Sequence, residues 1–188
     1  TPSLLSPTQV SAILNELYHS FPIVDDCEIT FESNPNDLNA LYLTELFDCG
    51  INRLSIGMQS ANSDELHLFD RRHDISEVET AVKIAKQVGF DNVSLDLIYG
   101  VPLQTLDMWQ HSLQVVTDLQ PKHVSAYALG IEDGTPMQNW VKNGIVPFPD
   151  DDLAAEMYDV ATETLSKAGY EQYEISNWSK PNFACEHN

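Results

Sequence analysis

The chain alternates short apolar segments with longer amphipathic ones, a pattern typical of strands and helices that follow one another. Its clearest strand lies within residues 93–102, a β-rich run that ends in a glycine and a proline. Because side chains alternate along a strand, Asp96 shares one face with Ser94 and Ile98, and the opposite face is apolar. A buried carboxylate is costly unless it is paired or hydrogen-bonded. Asp96 has no basic neighbour in sequence, so it needs partners from elsewhere in the chain.

The same pattern predicts four more strands, at residues 28–33, 53–60, 124–129 and 170–176. Amphipathic stretches predict helices at residues 7–20, 38–49, 63–69, 77–88, 106–119, 137–143 and 152–168. Good N-cap residues precede four of these helices: Ser6, Ser76, Thr105 and Asp151. Residues 178–188 are predicted to form a loop.

This order of elements predicts an α/β protein with a parallel sheet and right-handed crossovers. A helix, a glycine and a new strand recur at Gly50, Gly89 and Gly169, which fits a repeat of about 40 residues. One face of each strand is small or polar, and this favours a (β/α) barrel whose interior is lined by that face. Five strands are fewer than the eight of a closed barrel, so we expect a partial barrel. We assign residues 1–145 to the barrel core and residues 146–188 to a following helix, strand and loop.

Composition narrows the possible functions. The formal net charge of −20 argues against nucleic acid or an anionic membrane as the main partner, so any membrane contact is expected to be transient. The chain contains no apolar run long enough to span a membrane. The three cysteines, Cys27, Cys49 and Cys185, are widely spaced, which favours a reducing, cytoplasmic setting. No metal-binding motif is complete within the chain.

Three polar residues should meet at the carboxyl ends of the predicted strands, where barrel enzymes have their active sites. They are Glu32, Gln59 and Asp96. Two carboxylates at this place suit an amine or a pair of ribose hydroxyls. The alternative is that each residue only caps a loop or pairs with a lysine.

Two basic residues follow the Gln59 strand. Arg71 could bind a carboxylate with both of its terminal nitrogens, whereas a surface ion pair is the favoured interpretation for Arg72. His73 and His123 are predicted to be ordinary polar residues. The chain ends with Cys185, Glu186, His187 and Asn188, for which a frayed tail is the default interpretation. The alternative is that the Cys-x-His pair binds a metal or haem iron.

Several ordered motifs resemble the radical S-adenosylmethionine (SAM) family of oxygen-independent coproporphyrinogen III oxidases. The resemblance is closer still to the haem-chaperone (HemW-type) branch of that family. The motifs are residues 1–3 (TPS), 32–35 (ESNP), 52–60 (NRLSIGMQS), 92–102 (NVSLDLIYGVP), 125–127 (SAY), 132–136 (EDGTP) and 173–178 (YEISNW). They extend over nearly the whole chain.

This resemblance implies a partial (β/α)6 barrel that holds SAM and a [4Fe–4S] cluster in the intact parent protein. It implies that Asp96 holds the ribose hydroxyls of SAM and that Glu32, Gln59 and Arg71 surround its methionine and ribose parts. His187 and Asn188 match the first two positions of a His-Asn-x-x-Tyr-Trp haem motif. The implied partners are haem or a porphyrinogen, and a protein that accepts haem.

Two features depart from the family pattern. The Cys-x3-Cys-x2-Cys cluster motif, which precedes Thr-Pro-Ser in the family, and the first two barrel strands are absent, and the haem motif stops after Asn188. We therefore expect an internal fragment that is inactive alone, holds no cofactor firmly and associates through the unpaired edge of its first strand. Two alternatives stay open: a true coproporphyrinogen III dehydrogenase, and a binding module from an unrelated βα-barrel enzyme.

Overall fold

One mixed sheet forms the centre of the protein. The computed structural model describes residues 2–188, so Thr1 lies outside the described part of the chain. Within that part the sheet has six strands, in the spatial order β1-β2-β3-β4-β6-β5. The strands are β1 (Thr30–Ser33), β2 (Arg53–Gln59), β3 (Asn92–Tyr99), β4 (His123–Ala128), β5 (Glu171–Glu174) and β6 (Asn177–Ser179).

Residues 2–188 contain seven α-helices, one before the first strand and six in the connections between strands. They are α1 (Pro7–Ser20), α2 (Ala40–Asp48), α3 (Ser63–Leu68), α4 (Ile75–Val88), α5 (Leu106–Leu119), α6 (Pro136–Lys142) and α7 (Asp151–Lys167). Short 3-10 turns lie at Pro2–Leu4 and Pro35–Asp37. Strands β1 to β4 run parallel, with helices in the connections between them.

The outward face of the parallel strands is apolar and packs under the helices. Leu54, Ile56 and Leu95 are fully buried in one core cluster, together with Trp109 of α5 and Met157 of α7. The inward face carries the small and polar residues and is left for a cavity. The predicted α/β partial barrel is therefore confirmed, while the division at residue 145 stays a prediction.

The helix caps follow from side chains that satisfy free backbone N–H groups. Ser6 is the predicted cap of α1, where its hydroxyl accepts from the Gln9 N–H at 3.3 Å and the two residues form a capping box. The prediction for Ser76 was wrong: Asp74 caps α4 and accepts both from the Glu77 N–H, at 3.1 Å, and from the Ser76 hydroxyl, at 2.6 Å. A carboxylate is the stronger acceptor, so the helix begins two residues earlier.

Two further corrections concern the C-terminal part. Asp150, and not Asp151, caps α7, because its carboxylate accepts from the N–H groups of Asp152 and Leu153. The sheet is not wholly parallel, because β5 and β6 form an antiparallel hairpin and β6 pairs antiparallel with β4. Part of the predicted loop is therefore a strand. With only three residues, β6 is too short to show the alternation by which a strand is recognised in sequence. Its central residue, Trp178, is buried in the core.

Candidate functional site

A cavity of about 770 Å³ opens at the carboxyl ends of the parallel strands. The four residues that the resemblance assigns to SAM all line it: Glu32, Gln59, Arg71 and Asp96. They come from β1, from β2, from the loop before α4 and from β3. The parallel alignment of the strands brings together side chains that lie far apart in sequence.

Asp96 sits on the cavity floor within a set of three serine hydroxyls. The Ser55 hydroxyl lies 2.9 Å and 2.8 Å from the two carboxylate oxygens, and the Ser94 hydroxyl donates to Oδ1 at 3.2 Å. Ser125, the register partner of Asp96 on β4, provides the third hydroxyl. Burial raises the pKa of the Asp96 carboxyl, and the three hydroxyls and the charge of Arg53 act against that rise. The serines thus supply the partners that the sequence did not show.

Arg53 is a buried cation that sequence analysis missed. Only 4% of its surface is exposed, and it lines the cavity beside Ser55. Its Nη1 donates to the Thr30 hydroxyl at 3.2 Å, and its Nε lies 3.8 Å from Oε2 of Glu28. A usable signal was present, since Arg53 shares the inward face with Ser55 and Gly57 at a spacing of two residues.

Gln59 reaches its position through an unusual backbone. It has a φ of 65°, in the left-handed region, and the register between β2 and β3 shifts at this point. Its side chain folds over Gly57, where an added Cβ would lie 2.7 Å from the Gln59 Nε2. Gly57 is therefore a position of close approach.

Arg71 and Glu32 also form part of the cavity wall. The Arg71 Nη1 donates to Oδ1 of Asn34 at 3.1 Å, so the guanidinium is held by a neutral partner and keeps free donors. Glu32 is an exposed side chain at the end of β1. Arg72 is exposed and does not line the cavity. The wall thus presents one cation and one anion to any ligand.

The C-terminal residues also reach the cavity, where Cys185 and His187 contribute to its lining. The Tyr173 hydroxyl oxygen of β5 lies 3.2 Å from the Cys185 backbone nitrogen and 3.0 Å from the Asn188 Nδ2, and both groups donate to it. The Cys185 thiol donates to Oε1 of Glu28 at 3.1 Å, and its pKa is raised, first of all by burial. The tail is therefore anchored on the sheet and not frayed.

The described residues contain no site that fits an iron–sulfur cluster. Cys27, Cys49 and Cys185 are free thiols far apart in sequence, and residues 2–188 bring together no group of three or more His, Cys, Asp or Glu side chains suited to a metal ion. Such clusters are held by several cysteine thiolates. No step is therefore assigned to a cluster here.

Among the helices of residues 2–188, none is long and apolar enough to cross a membrane.

Curated proteins with similar sequences are named either as heme chaperones or as proteins with a radical S-adenosyl methionine domain. The chain is 35% identical over 188 residues to the heme chaperone HemW of Lactococcus lactis, covering 100% of this chain and 50% of that protein. It is 37% identical over 188 residues to the mitochondrial radical S-adenosyl methionine domain-containing protein 1 of Bos taurus, of which it covers 42%. The chain thus spans about half the length of the curated relatives it matches.

A solved structure and a family model agree with these relatives. Coproporphyrinogen III oxidase (HemN) from Escherichia coli, a radical SAM enzyme, matches with a TM-score of 0.84 and 26% identity, over 97% of this chain and 42% of that one. The model of the radical SAM superfamily matches residues 1–116. The alternative of an unrelated barrel enzyme is therefore wrong, and the chain belongs to the radical SAM superfamily.

Proposed function

We propose that the cavity binds SAM and that the whole protein is a haem chaperone of the HemW type. The observation that carries the proposal is the meeting of Asp96, Glu32, Gln59 and Arg71 in one cavity at the strand ends. The names of the relatives support the same function, because several of them are heme chaperones. A true coproporphyrinogen III dehydrogenase is the second candidate, supported by the match to HemN.

The charges of the cavity suit the charges of SAM. The ligand carries an ammonium and a carboxylate on its methionine part, and a pair of hydroxyls on its ribose. We assign the ammonium of SAM to Glu32 and its carboxylate to the free donors of Arg71. Gln59 would bind polar atoms of the ligand next to these two groups. Bound SAM would supply an adenosyl group for radical chemistry or would serve as a structural part of haem delivery.

We assign the ribose hydroxyls to Asp96. A carboxylate offers about four acceptor positions. The three serine hydroxyls do not occupy all of these positions, so ribose hydroxyls can donate to Asp96 while some of the serine hydrogen bonds remain. The serines would keep the two oxygens oriented before the ligand arrives, which lowers the cost of binding.

We assign haem binding to the tail, with His187 as the axial ligand and Asn188 as its orienting neighbour. An imidazole is a common haem ligand, and His187 is exposed at the cavity. Cys185 is a weak competitor, because its thiol donates to Glu28 and burial disfavours the thiolate. The segment on its own is expected to bind haem weakly, and extension of the tail through the rest of the haem motif should strengthen binding.

The test is an anaerobic haem titration of the whole protein, set beside its turnover of coproporphyrinogen III. Haem binding without turnover supports the chaperone, and turnover supports the dehydrogenase. His187→Ala should shift the Soret band and lower haem affinity, while Cys185→Ala, the matched control, should change both much less. If His187→Ala leaves spectrum and affinity unchanged, the haem role of this residue is wrong.

We also propose a cytoplasmic location and a haem-acceptor protein as partner. The three free cysteines support a reducing compartment. The heme-chaperone name of a relative supports the protein partner, and the net charge of −20 argues against more than a brief contact with an anionic membrane. Fractionation of cells and cross-linking in the presence of haem would test both points.

A further inference from the structure

A continuous chain of hydrogen bonds runs from Asp96 across the sheet to the C-terminal tail. Ser94 links Asp96 to His123, with 2.8 Å between the Ser94 Oγ and the His123 Nδ1. The other ring nitrogen of His123 lies 2.7 Å from the Tyr173 hydroxyl, which contacts the tail at Cys185. The proposed SAM site and the proposed haem-ligand segment are therefore joined through His123 and Tyr173, two side chains that neither assignment uses.

The chemistry of its two ends gives the chain a single direction. The Ser94 hydroxyl donates to the carboxylate, so its oxygen accepts from the His123 Nδ1–H. The His123 Nε2 is then unprotonated and accepts from the Tyr173 hydroxyl, whose oxygen accepts from the tail. Full burial fits this state, because desolvation, helped by the Arg53 charge, lowers the pKa of His123 to about 3 and keeps the ring neutral.

We propose that His123 and Tyr173 are positioning residues that couple the occupancy of Asp96 to the attachment of the tail that carries His187. This inference rests on the proposed SAM site. It assigns no reactive role to either residue. In this proposal, a ligand bound at Asp96 changes how firmly Tyr173 holds the tail residues next to His187.

The coupling follows from cooperativity within a hydrogen-bonded chain, in which each bond polarises the next. An ionised Asp96 strengthens the acceptor oxygen of Ser94, and this effect passes through His123 to the Tyr173 oxygen. Ribose hydroxyls that donate to Asp96 would share its charge and weaken the chain. SAM binding should therefore loosen the tail and release His187 for haem.

Packing alone does not account for this arrangement. The rings of His123 and Tyr173 meet edge to face, with centroids 5.7 Å apart and planes at 61°. Tyr173→Phe keeps this ring contact and removes only the hydroxyl that joins His123 to the tail. The matched control is Tyr170→Phe, which removes a hydroxyl that donates to the Pro121 carbonyl at 2.7 Å, outside the chain.

The experiment is hydrogen exchange of the whole protein, with and without SAM and under anaerobic conditions, followed at the amide of Cys185. One lost hydrogen bond of this kind should speed its exchange by about three- to tenfold in Tyr173→Phe. Asp96→Asn should speed it as well, in the absence of any ligand, because the charge that polarises the chain is gone. Tyr170→Phe should leave it unchanged. SAM should speed it in the wild type and have no effect in Tyr173→Phe.

The outcomes separate this inference from the SAM proposal. Wild-type exchange at Cys185 in Asp96→Asn overturns the inference, and so does an equal SAM effect in wild type and Tyr173→Phe. If the wild type binds no SAM, the SAM proposal fails, and the Asp96→Asn comparison still decides the coupling. The ¹⁵N shifts of His123 give a second measurement, since a proton on Nε2 overturns the inference even if Tyr173→Phe does not fold.

Discussion

Replacement of Asp96 by Asn tests the centre of the proposed site. The substitution keeps size and shape, so the side chain should still fit among Ser55, Ser94 and Ser125. It exchanges an ionised acceptor for a neutral amide. The ribose hydroxyls would then lose a charge-assisted hydrogen bond.

The expected magnitude follows from that bond. A hydrogen bond to a charged group contributes about 1.5–3 kcal/mol, which corresponds to a loss of about ten- to one-hundred-and-fifty-fold in SAM affinity. Isothermal titration calorimetry of the whole protein under anaerobic conditions measures this change. The fold should persist, because burial already raises the pKa of Asp96 and a neutral side chain avoids that cost.

A matched control separates a local effect from a change in overall charge. Asp91 precedes the same strand, and its side chain is 73% exposed beside Lys122. Asp91→Asn removes the same charge from the surface and should leave SAM affinity unchanged. Equal affinities of wild type and Asp96→Asn would refute the assignment of the ribose to this carboxylate, as would an equal loss in Asp91→Asn.

Three other expectations can be measured directly. The folded-state pKa of His123 is lowered from 6.5 to about 3, so its contribution to stability is complete above pH 6.5 and declines as the pH falls toward 3. Between these pH values the free energy of unfolding, measured with urea, should fall more steeply with decreasing pH in wild type than in His123→Gln, by about 1.4 kcal/mol per pH unit. Equal pH dependence of the two proteins would contradict this. Gly57→Ala should displace the Gln59 side chain, whose Nε2 lies 2.7 Å from the new Cβ, and weaken SAM binding in calorimetry with little change in melting temperature; unchanged affinity would remove Gln59 from the site. The 188-residue chain should self-associate through β1, which lies at the edge of the sheet in residues 2–188 and has β2 as its one partner there. Sedimentation of a monomer at high concentration would count against this.

The local pattern of the sequence was sufficient for the parallel part of the sheet and the helices around it. Alternation along β2 and β3 separates an apolar face from a polar one, and that pattern predicts the parallel strands and the interior position of Asp96 and Gln59. Two of the four predicted caps, Ser6 and Thr105, were right, because such a cap acts on a backbone group only three residues away. The antiparallel pairing was not predicted: β5 lies within the predicted strand 170–176, but β6 has only three residues, too few for a periodic signal.

Tertiary structure alone decided which groups meet at the site. Asp96 gains two of its three hydroxyls from β2 and β4 and lies in the field of Arg53, and no spacing in the sequence relates residues that are 29 to 43 positions apart. The same holds for the link from His123 to Tyr173 and for the tail against Glu28, which are 50 and 157 residues apart in sequence. Hydrogen bonds and charges act over a few ångströms of space, so residue types indicate what a side chain can do, and the sheet determines what it meets.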